Sequence, residues 1–90
     1  MAASQMRTPE EIQAEIAALK ALKPVGRWAY ATARKIRACI HELEGDIDMT
    51  APEFTDETDE DLKSVIMDAH SWKSGEMESK PSEGWGKLVE

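Results

Sequence analysis

The chain has 90 residues and a net charge of -7; a chain this short holds one domain around one small core, because it buries only about 60% of its unfolded surface. Leu, Ile, Val and Phe number only fifteen, which with the charge puts the composition close to that of disordered chains. A TIM barrel, a two-domain dinucleotide-binding enzyme and any deep multilayered cavity are thereby excluded.

The first predicted element opens at Thr8-Pro9-Glu10-Glu11. Thr8 can accept from an early backbone N–H, Pro9 suits the first helical position and Glu11 completes a capping box. A helix is predicted over 9–23, with Ile12, Ile16, Leu19 and Leu22 drawing one apolar stripe. Lys20 and Lys23 close it in keeping with the macrodipole, and Pro24 and Gly26 break the chain. A second helix is predicted over 27–44. Its residues Ala29, Ala33, Ile36, Ile40 and Leu43 repeat at steps of 4, 3, 4 and 3, and Ile47 continues the seam beyond it. A connection this short predicts an antiparallel hairpin. Trp28, Tyr30 and Cys39 fall off the seam and need a cover that two helices alone cannot supply.

Residues 45–58 read as an acid-rich linker. Within it, Asp46, Asp48, Thr50 and Glu57 mimic the oxygen ligands of a calcium loop, but Ala51 stands where the sharp turn needs Gly, and the match is read as chance. A third helix is predicted over 59–74, with Thr58 as its cap and Leu62, Val65, Ile66, Ala69 and Trp72 on its buried side. Residues 76–90 contain Pro81, Gly84 and Gly86 and read as a flexible tail unless Trp85 and Leu88 dock. The expected architecture is therefore all-α: one domain over 1–75, in which the hairpin is joined by a third helix. So thin a core predicts a homodimer, two hairpins pairing through Trp28, Tyr30 and the seam as a four-helix bundle, with the third helix packed outside.

Charge is segregated. Residues 16–41 carry six cations and no acid, whereas residues 42–90 carry fifteen acids and four lysines. Arg27, Arg34, Lys35 and Arg37 predict a basic face on the second helix, suited to phosphates or to an acidic protein. Asp56, Glu57, Asp59, Glu60 and Asp61 could imitate a row of phosphates, although helix-start chemistry explains them more simply. Cys39, His41 and His70 lack metal-ligand or nucleophile spacing and read as a core thiol and two surface imidazoles. No phosphate loop or nucleophile elbow is present, so neither an enzyme, a cofactor nor a metal is expected. A lone Cys and the absence of Asn exclude an internal disulfide and an N-glycan. No apolar run approaches a membrane span, and residues 1–7 lack a secretory core, so the expected compartment is the cytoplasm.

The stretch from Thr8 to Lys20, running into Pro24 and a second basic helix, together with Pro81-Ser82-Glu83-Gly84-Trp85, resembles small uncharacterised helical-hairpin proteins encoded by bacteriophages and prophages. The resemblance covers about half of the chain and implies a bacterial cytoplasmic setting with a host-directed partner; it transfers no site residue. The residues themselves predict a non-enzymatic adaptor or inhibitor that binds a protein, with Trp28, Tyr30, Trp72 and Trp85 as anchors. The alternative is a nucleic-acid-binding regulator that uses the basic face.

Overall fold

The computed structural model of the chain describes residues 6–45 and 59–85. Every regular element among them is a helix: α1 (Pro9–Ala21), α2 (Ala29–Glu44), α3 (Asp59–Ser74) and α4 (Pro81–Trp85). The capping box at the start of α1 forms: Thr8 Oγ1 accepts from the Glu11 N–H at 3.1 Å and Glu11 Oε1 from the Thr8 N–H at 3.2 Å. α1 ends at Ala21, two residues short of the predicted range. Pro24 disfavours helical backbone at the residue before it, and the chain has already turned extended at Leu22 (φ -69, ψ 137). α2 likewise starts at Ala29 and not at Arg27. Gly26 is left-handed at φ 88, and a tight turn in which the Ala29 N–H donates to the Gly26 carbonyl at 3.2 Å takes the place of the expected first helical turn. Gly45, at φ 87, closes α2 with its N–H donating to the His41 and Glu42 carbonyls. α3 spans its predicted range; Thr58, the expected cap, lies outside the described residues, as do the calcium-like loop and Ile47.

α2 is the central element and α3 lies beside it, running in the same direction. Near the start of both, Lys35 Nζ meets Asp61 Oδ2 at 3.4 Å. Further along, Ala38 packs with Leu62 and Ile66, and at the far end Lys73 Nζ donates to the Glu42 carbonyl at 3.1 Å. A 16-residue helix is about 24 Å long at about 1.5 Å per residue. The end of α2 and the start of α3 therefore lie at opposite ends of the pair.

α1 covers one side. Leu19 and Leu22 line a shallow groove with Ala33, Ile36 and Ile40 of α2, and Ile16 and Leu19 join Ile40, Leu43, Ala69 and Trp72 in the main core. The seam of α2 is thus covered within the chain. The expectation that the third helix packs outside is corrected: α3 contributes Val65, Ala69 and Trp72 directly to that core.

Two contacts tie the ends of the chain to the middle. Ahead of α1, the Arg7 N–H donates to the Lys73 carbonyl at 2.9 Å, while its guanidinium donates to the carbonyls of Trp72 at 3.2 Å and Met77 at 2.9 Å. The last carbonyls of a helix have no partner within it, and Arg7 supplies one at the end of α3. After α3, the flexible tail predicted from residue 76 is corrected as far as residue 85. Pro81 begins α4 as a first-position proline should, Trp85 is 5% exposed, and the buried Glu15 carboxylate accepts from the Ser82 N–H at 2.7 Å. Removing that acceptor strands a donor at the start of α4. Glu15→Ala is expected to cost about 1–3 kcal/mol and to expose the bond after Glu83 to a glutamate-specific protease. Cleavage there no faster than in wild type would show that α4 is held by other means.

Candidate functional site

The structure divides the four aromatic anchors expected from sequence into two classes. Trp72 and Trp85 are 2% and 5% exposed and belong to the chain's own core, so they cannot anchor a partner in this fold; that expectation is corrected. Trp28 and Tyr30, in contrast, are 67% and 76% exposed. They stand where the α1–α2 turn enters α2, next to Val25, itself exposed. Burying such rings against a partner is the usual source of interface energy.

Arginines surround these rings. Positions 30, 34, 37 and 41 fall at steps of 4, 3 and 4 and so follow one line along α2, while Arg27 precedes the helix in the turn. Arg27 and Arg37 are exposed, Arg34 and His41 partly so. The Arg34 guanidinium lies 5.8 Å from the centre of the Tyr30 ring, within the range of a cation–π contact. Among the described residues no carboxylate pairs with Arg27 or Arg37. Lys35 departs from the expected basic face: it turns toward α3, and only 22% of its side chain is exposed beside Asp61. The usable face is therefore Arg27, Trp28, Tyr30, Arg34 and Arg37.

Sequence spacing kept Cys39 apart from the two histidines, and the structure agrees. Cys39 is fully buried against a cavity of ≈ 270 Å³ among α2, α3 and α4, lined by Val65, Asp68, Met77 and Trp85 and by no histidine. Burial pushes the thiol from its ordinary 9.0 up to about 12, with the nearby Glu15, Asp68 and Glu42 carboxylates adding to the rise against a hydrogen bond from Trp85. A thiol held protonated is a poor nucleophile. His70 Nε2 instead meets Glu42 Oε2 at 3.3 Å. Because the folded thiol binds its proton more tightly than the unfolded one, its contribution to stability is complete below about pH 9 and is lost as pH rises toward 12. Melting temperature measured from neutral to alkaline pH is therefore expected to fall more steeply for wild type than for Cys39→Ala. Parallel curves would contradict this.

No group of three or more His, Cys, Asp or Glu among the described residues is placed to hold a metal ion, and no helix there is long and apolar enough to cross a membrane. Of the acid row, Glu60 and Asp61 are exposed in the first turn of α3, while Asp56 and Glu57 lie outside the described residues. The buried carboxylate of Glu15 and the Arg7 clamp had no signal in the sequence beyond their polarity. No family model, curated protein or solved structure matches the chain.

Proposed function

We propose that the protein is a non-enzymatic binding module, an adaptor or inhibitor that engages a protein partner through the face formed by Arg27, Trp28, Tyr30, Arg34 and Arg37. One observation carries this reading: two large aromatic rings, 67% and 76% exposed, stand in a stretch, residues 16–41, that contains six cations and no acid. Rings provide contact area at low entropic cost, and the arginines select a partner of opposite charge. The resemblance to phage and prophage proteins supports a bacterial cytoplasmic setting and a partner belonging to the host. The test is affinity capture from bacterial extract with wild type, Trp28→Ala/Tyr30→Ala and Met67→Ala as bait. A protein retained by wild type and Met67→Ala but lost with the aromatic pair supports the reading; capture indifferent to those rings refutes it.

A nucleic-acid reading is favoured by the contact of Arg34 with Tyr30, since Arg and aromatic groups together form the stacking platforms of single-strand binders. The overall charge of -7 opposes it. A labelled single-stranded oligonucleotide at low and moderate salt separates the two. A shift that weakens with salt and disappears in Arg34→Ala/Arg37→Ala would favour the nucleic acid.

A further inference from the structure

α4 contributes little to the interior that it closes. Of the ten buried residues in the main core, nine belong to α1, α2 and α3, and only Trp85 comes from α4. Five residues are too few for a helix that stands by itself, because the cost of nucleation is not recovered in so short a run. The docking of α4 therefore rests on the buried Pro81 and Trp85 side chains and on the Glu15 carboxylate, which accepts from the Ser82 N–H.

Packing beneath α4 is incomplete. The cavity of ≈ 270 Å³ lies between it and the two longer helices: Pro81, Gly84 and Trp85 line one side, Cys39 and Val65 the other. A void deprives the short helix of the dispersion contacts that would fasten it there. Earlier in the chain, the Arg7 guanidinium holds the Met77 carbonyl, so the chain is tied down again just before Glu78, Ser79 and Lys80, all three exposed. A hinge costs least at such residues.

We propose that α4 is a strap that opens as a unit about residues 78–80 while α1, α2 and α3 stay folded, and that its opening uncovers Cys39 and the apolar floor of the cavity. With α4 docked, Cys39 has no exposed surface, and Trp85 shares its cluster. Local openings have free energies below that of global unfolding. Here the opened state gives up one buried ring and one hydrogen bond to a carboxylate, and it keeps the packing of the three long helices on one another. None of these residues belongs to the face around Trp28 and Tyr30.

The test is alkylation of the full-length chain by iodoacetamide across a urea series, read by mass, beside global unfolding read by circular dichroism. The chain has one cysteine, so the adduct reports Cys39 alone. Below the unfolding transition, wild type is expected to react far more slowly than the unfolded chain, with a urea dependence much shallower than that of global unfolding, because little surface is exposed when α4 leaves. Glu15→Ala should raise this rate roughly tenfold, about 1.4 kcal/mol. Ile66→Ala, in the separate cluster of Ala38, Leu62 and Ile66, should lower the midpoint of global unfolding and leave the rate unchanged, because that contact persists in the opened state. Alkylation that tracks global unfolding at every urea concentration would overturn the proposal. So would a Cys39 as reactive in the native protein as in the unfolded one, a rate indifferent to Glu15→Ala, or a rate raised as much by Ile66→Ala as by Glu15→Ala.

Discussion

Replacing Trp72 by Ala is expected to remove a large share of the protein's stability, whereas the same change at Trp28 should leave it within about 0.5 kcal/mol of wild type. Trp72 is 2% exposed and packs in the cluster shared by α1, α2, α3 and α4. Truncating a ring so enclosed costs about 3–5 kcal/mol, against a total of about 5–15 kcal/mol for a typical domain. Trp28, 67% exposed at the entrance to α2, removes little apolar area from water. Urea denaturation followed by circular dichroism measures both. Similar losses at the two positions would mean that the core is not arranged as described.

Arg7→Ala is expected to have the second largest effect, about 2–3 kcal/mol, because hydrogen bonds from a charged donor are worth more than neutral ones. The guanidinium serves the Trp72 and Met77 carbonyls and lies 5.3 Å from the centre of the Trp72 ring. Arg7→Lys keeps the charge and loses the planar fork, so it should recover only part of the loss. Hydrogen exchange provides a local readout: the Gly75, Glu76 and Met77 amides, which donate to the Trp72 and Ser71 carbonyls, should exchange faster in Arg7→Ala. Unaltered protection there, together with unaltered stability, would reduce Arg7 to a surface residue.

Periodicity and capping residues placed the helices because those signals are local. Thr8 to Glu11 can be read as a helix start without knowledge of the rest of the chain, and the stripe from Leu62 to Trp72 marks a buried side wherever the helix lies. What escaped depends on partners far along the chain. Arg7 and Trp72 are 65 residues apart, and Glu15 and Ser82 are 67 apart; nothing near either residue announces the contact. Pro81 did carry a local signal, a proline at a helix start followed by Ser and Glu, but the surrounding glycines obscured it. Exposure of the aromatics was also beyond reach, since Trp28 and Trp72 differ in neighbours and not in type. The parallel relation of α2 and α3 rests on the ion pair of Lys35 with Asp61 and the bond of Lys73 to Glu42, neither of which periodicity can reveal.

The placement of Arg7 and Glu15 has a consequence for how the protein is made. Both find their native acceptor or donor only 65 to 70 residues later, at Trp72, Met77 and Ser82. A nascent chain emerging from the ribosome therefore cannot complete the surroundings of α1 until residues 72–82 have been released, and the packing of α1 waits for them. Truncation that takes away Trp85 would remove a wall of the interior rather than a dispensable appendage.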